Sequence, residues 1–158
     1  MENIIRLLVV DSDKEQLSSI EKYFSKHAVI KIVNTINDGL KAEEYIKNNI
    51  TEFDMLITDL LLPNKDGISL IKYIKDNELN KNIIVLTGYN SLTMINQVSL
   101  YNIDYFMLKP FNYNDLENQI LNIKNNKVKI IDKNKELNGT ISSLLHSLGV
   151  PSHIKGYE

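Results

Sequence analysis

Five short apolar runs, most ending at a polar residue, alternate with five amphipathic stretches along most of this chain. Ile4 to Val10, interrupted only by Arg6, stops at Asp11-Ser12-Asp13. Ala28 to Val33, Met55 to Thr58, Ile83 to Leu86 and Asp104 to Leu108 follow, the last three stopping at Asp59, Thr87-Gly88 and Lys109-Pro110. Apolar runs of this length between turn signals read as strands buried on both faces, as in a parallel sheet. Between them Leu17, Ile20 and Phe24 recur at helical spacing, and Leu40, Ala42, Tyr45 and Ile46 follow the capping pair Asn37-Asp38. Ile68, Ile71 and Ile74, then Ser91 through Leu100, then Leu116, Ile120 and Ile123 behind Asn112 and Asp115, complete the helices. Such alternation predicts an α/β fold: a doubly wound parallel sheet with right-handed crossovers and helices on both faces.

The 158 residues suit one domain with a short extension. A net charge of -2 gives no general electrostatic case for nucleic acid or membrane binding. The lack of cysteine removes disulfides, thiolate chemistry and Cys-based zinc sites. No apolar run approaches the roughly 20 residues of a membrane span, and no signal peptide opens the chain, so a cytoplasmic location is expected. Residues 124–135 hold five lysines, three asparagines and one aspartate. A block of like charge of this kind reads as a solvated linker rather than a phosphate-binding strip. Leu137, Ile141, Leu144, Leu145 and Leu148 restore helical periodicity until Gly149-Val150-Pro151. The expected organisation is a main domain over 1–125, a basic linker over 126–136, and over 137–158 a second unit too short to bury its own core.

Four strand ends carry polar groups: Asp11 and Asp13 after the first, Asp59 after the third, Thr87 and Lys109 after the fourth and fifth. In a doubly wound sheet the first and third strands adjoin at the switch point, so Asp11 and Asp59 share one crevice. Two carboxylates that close repel unless a cation neutralises them. A hard divalent ion with oxygen ligands is the natural partner: Mg²⁺, with Ca²⁺ or Mn²⁺ as substitutes. With the Thr87 hydroxyl and the Lys109 ammonium added, the crevice can hold phosphoryl oxygens, and Asp59 becomes a nucleophile that forms an acyl phosphate.

VVDSD, ITDLLLPNKDG, VLTG and FMLKPF, in that order, resemble the receiver domain of two-component response regulators over residues 4–125. The resemblance implies a flavodoxin-like, five-stranded sheet of order 2-1-3-4-5. It also implies Asp59 as phosphoacceptor, Asp11 as an acid at the metal site, Leu61 as a backbone carbonyl ligand, and Thr87 and Lys109 as phosphoryl contacts. A cis peptide before Pro110 and an aromatic switch at Phe106 belong to the same pattern, the latter compatible with ordinary core packing. The implied partners are a histidine kinase or histidine phosphotransferase as phosphoryl donor, and a second copy in a phosphorylation-driven homodimer; no enzymatic turnover is expected. ISSLLHSLGVPSHIKGY, residues 141–157, is similar to the start of the DNA-binding domain in the stage-zero sporulation protein A family, the sporulation master regulators of Firmicutes. That implies sporulation-type transcription control, with DNA contacted only through an effector domain largely missing from a truncated chain. His146 and His153 fit no common helix-based ligand spacing and carry no metal expectation.

Receivers carry two adjacent acids after the first strand, whereas here Ser12 takes the second place and Asp13 lies one further on. Weaker metal binding is expected unless Asp13 reaches the ion. Leu61 and Tyr89, two residues beyond Asp59 and Thr87, are bulky and are expected to screen the acyl phosphate from water. Two other readings stay open: a pseudo-receiver that works by protein binding alone, and a phosphatase of the haloacid-dehalogenase type using Asp11-x-Asp13. Against the second, Glu15 replaces the usual Thr or Val and no acidic pair follows Lys109. A flavodoxin-like cofactor protein lacks support, since no phosphate loop follows the first strand.

Overall fold

The computed structural model describes residues 3–88 and 91–132, with side chains to residue 125. Its elements alternate as β1 (Ile5–Val10), α1 (Lys14–Phe24), β2 (Ile30–Ile36), α2 (Gly39–Asn48), β3 (Met55–Thr58), α3 (Gly67–Asp76), β4 (Asn82–Thr87), α4 (Leu92–Ser99), β5 (Tyr105–Leu108) and α5 (Tyr113–Asp132). The strands pair in parallel in the order β2-β1-β3-β4-β5, as expected from the sequence.

Side chains alternate across a strand, so β1 sends Leu7 and Val9 to one face and Leu8 and Val10 to the other. Leu17, Ile20 and Phe24 of α1 and Leu116 and Ile120 of α5 cover the first face, over Ile57, Ile84 and Leu86. Ala42 and Ile46 of α2, Leu70, Ile71 and Ile74 of α3 and Val98 of α4 cover the second, over Leu56, Ile83 and Val85. Each fully buried aliphatic side chain contributes about 1.5–3 kcal/mol relative to exposure, so these two layers carry the fold. The chain winds outward in both directions from the β1–β3 pair. A crevice therefore opens there, at the carboxyl ends of the strands.

Several boundaries differ from expectation. β2 runs over Ile30–Ile36, not Ala28–Val33. His27 delays its start: Nδ1 accepts the backbone N–H groups of Val29 and Ile30, each at 3.0 Å. With Nδ1 an acceptor, Nε2 carries the hydrogen and donates to Glu117 Oε2 at 2.9 Å. Tyr23 also donates to Glu117, at 2.7 Å, so α5 is tied to α1. At its far end β2 extends through Asn34 and Thr35 because an outer strand need not be apolar. The register shifts between Leu7 and Leu8, which leaves Val33 as an extra residue in a bulge.

α5 continues to Asp132, so residues 126–132 are helical where a linker was expected. Neither Gly nor Pro interrupts the stretch, and lysine is a good helix former. The rest of that linker, the expected second unit over 137–158, and Tyr89 lie outside the described residues. Ser91 precedes α4 as expected, yet its side chain makes no capping bond.

Arg6, the break in the first apolar run, is paired. Its Nε and Nη2 donate to the two oxygens of Asp54 at 3.1 and 2.9 Å, and its amide donates to Asp54 Oδ2 at 2.9 Å. Asp54 in turn links β1 to β4: its amide donates to Arg6 O at 2.8 Å and its carbonyl accepts from Asn82 at 3.1 Å. Burial pushes the Asp54 carboxyl up, but the side-chain and backbone donors of Arg6 outweigh it and hold the group below its ordinary range. A depressed carboxyl stabilises the fold above its unfolded pKa of about 3.9 and loses that contribution as pH falls. Asp54→Asn is expected to lower unfolding free energy by about 1 kcal/mol at neutral pH, since the pair is part-exposed. In urea titrations the difference from wild type should close as pH drops below about 4.

Candidate functional site

Backbone ladders set the positions of the acids. The Asp11 amide donates to Ile36 O at 3.1 Å, and the Asp59 amide to Val10 O at 3.0 Å, which places Asp11 and Asp59 side by side beyond β1 and β3. The Lys109 amide donates to Thr87 O at 2.9 Å and so anchors the end of β5 beside β4. From there Lys109 Nζ donates to Asp11 Oδ2 at 2.6 Å and to Asp59 Oδ2 at 2.8 Å. Both acids are nearly out of water, Asp11 at 2% exposure and Asp59 at 7%. The ammonium between them is therefore an electrostatic requirement rather than a surface ion pair.

The two oxygens of Asp59 are not equivalent. Oδ1 accepts from the amides of Leu60 at 2.6 Å and Leu61 at 3.2 Å, and from Thr87 Oγ1 at 2.5 Å. Oδ2 accepts from Lys109. Asp11 Oδ1 accepts the Asp13 amide at 2.9 Å. Burial pushes the Asp11 carboxyl above its ordinary value, with Lys109 and the Asp13 amide pulling the other way. Burial also acts to lower Lys109, but its bonds to Asp11 and Asp59 outweigh that and hold the ammonium above its usual range.

Asp11, Asp59, Thr87 and Lys109 thus meet in one crevice, and the peptide before Pro110 is cis. Asp13 does not join them. Its side chain is exposed and caps α1, with Oδ1 accepting from Glu15 at 2.9 Å and Gln16 at 3.4 Å. An aspartate one residue ahead of a helix is a preferred N-cap, and that local bond engages one oxygen of the acid that was a possible further metal ligand. Ser12 is exposed. Leu61 sits beyond Asp59 with its side chain 54% exposed. Thr87 and Phe106, the latter at the expected aromatic switch position, are both buried.

Sequence reasoning missed the amides of Leu60 and Leu61, which carry no side-chain signal. The indirect signal was the Pro63…Gly67 turn. Gly67 donates to Leu60 O at 2.9 Å, and a Cβ at Gly67 would fall 2.0 Å from Asp59 O, so only glycine lets the loop close against the acid.

Among the described residues no three His, Cys, Asp or Glu side chains gather about one point. Two buried carboxylates facing one cation do not make a cage, but they suit an ion that keeps most of its water. Mg²⁺ binds in that way, through one or two carboxylates, so the donor set fits it.

The crevice thus holds a buried carboxylate braced by amides and a hydroxyl, beside a second acid and an ammonium, at the switch point of the sheet. The chain belongs to the response regulator receiver domain family, which matches residues 7–121. The structure is similar to the isolated receiver domain of RcsB from Salmonella enterica serovar Typhimurium, solved with phosphomimetic BeF3-. That match has 30% identity, covers 73% of this chain and 85% of that one, and has a TM-score of 0.62. A DNA-binding response regulator of the LuxR family from Staphylococcus aureus matches at 18% identity, covering 76% of this chain and 98% of that one, with a TM-score of 0.71. The CheX-CheY-BeF3-Mg+2 complex from Borrelia burgdorferi matches at 19% identity, covering 75% and 88%, with a TM-score of 0.69. The last two share the fold. As a receiver domain, the chain is a component of two-component signalling.

Lys109→Met leaves Asp11 and Asp59 to face each other without a cation. In buffer free of divalent ions it is expected to cost about 2 kcal/mol of unfolding free energy at neutral pH, a part-exposed version of breaking a buried pair. Chemical denaturation should show the loss shrinking toward pH 4, where protonation relieves the repulsion.

Proposed function

We propose that this receiver accepts a phosphoryl group on Asp59 from a histidine kinase or histidine phosphotransferase. The observation that carries this reading is the asymmetry of the Asp59 carboxylate. Oδ1 is braced by three donors, while Oδ2 points to the ammonium that would face the incoming phosphoryl group. In the transfer, Oδ2 attacks phosphorus in line, the new O–P bond forms as the donor's P–N bond breaks, and the departing imidazole takes a proton from solvent. Oδ1 becomes the acyl carbonyl oxygen, still held by the amides of Leu60 and Leu61. Lys109 turns to the phosphoryl oxygens and Thr87 donates its hydroxyl to one of them. Mg²⁺, or Ca²⁺ or Mn²⁺ in its place, would be held by Asp11, Asp59 and the Leu61 carbonyl and would neutralise phosphoryl charge. The BeF3- of the RcsB structure and the Mg+2 of the Borrelia complex support this reading.

On this reading the chain takes up phosphoryl groups stoichiometrically and is not an enzyme. The capping role of Asp13 speaks against Asp11-x-Asp13 phosphatase chemistry. Movement of Thr87 toward the phosphoryl group would bias the face formed by α4, β5 and α5 toward a homodimer. We place the protein in the cytoplasm; no described helix is long and apolar enough to cross a membrane. The tail over 141–157 supports a sporulation-type regulator by sequence similarity, with DNA contacted only through the effector domain.

A second reading, a pseudo-receiver acting by protein binding without phosphorylation, draws on Ser12 and on the engagement of Asp13, which leave two carboxylates at the crevice. Incubation with Mg²⁺ and acetyl phosphate separates the two. Intact mass should rise by one phosphoryl group in wild type and not in Asp59→Asn; an unchanged wild-type mass would favour the pseudo-receiver. Ser12→Asp should tighten Mg²⁺ binding about tenfold by isothermal titration, since a charge near 4 Å is worth up to about 4 kcal/mol before hydration is subtracted.

A further inference from the structure

The loop between Asp59 and α3 does not hang free over the crevice. Its middle lies on the N-terminus of α2. The Gly39 amide donates to Pro63 O at 3.0 Å, and a Cβ at Gly39 would lie 1.5 Å from Lys65 O, so the two backbones touch there. Asn64 holds a positive φ of 69° and its side-chain amide donates to Asp38 Oδ2. The other oxygen of Asp38 accepts the Lys41 amide at 2.9 Å, so one carboxylate caps α2 and grips the loop. One turn along α2, Glu43 is buried at 8% exposure and receives Lys65 Nζ at 2.8 Å.

These contacts have no part in the chemistry described above, yet they act on the segment that performs it. The same loop begins with the two amides that brace Asp59 Oδ1 and ends at Gly67, which closes on Leu60. Between these ends, displacement of Asn64 and Lys65 is shared by Asp66 on one side and by Leu61 to Pro63 on the other, and so reaches the amides beside Asp59. We propose that α2 is the positioning element of the acceptor loop, with Asp38 on Asn64 and Glu43 on Lys65 holding the Leu60 and Leu61 amides against Asp59. Asp38, Glu43, Asn64 and Lys65 are positioning residues, since none of them touches the reacting atoms. The consequence for phosphoryl transfer rests on Asp59 being the acceptor; the consequence for the loop does not.

The backbone at Asn64 provides a clean test. Asn64→Gly keeps the left-handed conformation while removing the amide donor and leaving the backbone freer. Asn64→Asp sets a like charge against Asp38 in a residue that still tolerates that φ. Asp38→Asn with Asn64→Asp restores a donor and acceptor in reversed polarity, and asparagine still caps α2. Amide hydrogen exchange in the unphosphorylated full chain should show Leu60 and Leu61 exchanging about tenfold faster in Asn64→Asp, less so in Asn64→Gly, and near wild type in the double variant. The limiting rate of phosphorylation by acetyl phosphate with Mg²⁺ should fall and recover in the same order, with the half-saturating concentration of acetyl phosphate little changed.

Unaltered exchange at Leu60 and Leu61 in the single variants would overturn the proposal. So would a loss of protection spread evenly over α2 and α3, or a failure of the double variant to recover. If Asn64→Asp does not fold, Asn64→Gly decides by the same readout. Should exchange respond as expected while wild type takes up no phosphoryl group, the acceptor reading fails and the positioning role stands.

Discussion

The ammonium of Lys109 between Asp11 and Asp59 is the interaction on which the rest of the site depends. Two carboxylates almost without solvent cannot both stay ionised unless a cation stands close to them. The sheet order supplies it: β1 and β3 are neighbours, and β5 ends close enough for a lysine side chain to reach both acids. A metal ion would meet the same demand from the solvent side. In this arrangement a cation of the protein itself balances the charge of both acids.

Around that balance the fold leaves little freedom. Asp59 is held through its amide by β1, through one oxygen by two loop amides and Thr87, and through the other by Lys109. Rigid placement of Asp59 accords with the proposed phosphoryl transfer, where little of the barrier is covalent work and most is alignment and charge. The inward placement of Thr87 and Phe106 belongs with this. With the hydroxyl already on Asp59, a phosphoryl group would compete for an existing hydrogen bond rather than recruit a distant side chain.

Much of this was legible in the chain because strand ends in a doubly wound sheet are marked by abrupt changes from apolar to polar. Asp11, Asp59, Thr87 and Lys109 stood out for that reason, and the parallel order followed from the alternation. What stayed hidden lies in side chains whose partners are distant in sequence. Arg6 looks like a break in a strand because its partner Asp54 lies 48 residues further along the chain. The capping role of Asp13 is not visible in its spacing, since a local amide bond competes for a carboxylate that could also reach a metal. The capping role of Asp38 is legible in the chain, but the grip of its second oxygen on Asn64 depends on a loop some distance along. The end of α5 was missed because a lysine- and asparagine-rich run is compatible with either a solvated linker or a solvated helix.

The bulge at Val33 has a consequence away from the crevice. β2 and β5 are the outer strands, and a flat outer strand offers its unpaired backbone groups as a template for a strand from another molecule. An extra residue in β2 breaks the even spacing of those groups and adds twist, while β5 is only 4 residues long. Neither margin presents a long, regular row of donors and acceptors, so the sheet is a poor seed for fibrous self-association even though its interior is built almost wholly from aliphatic strands.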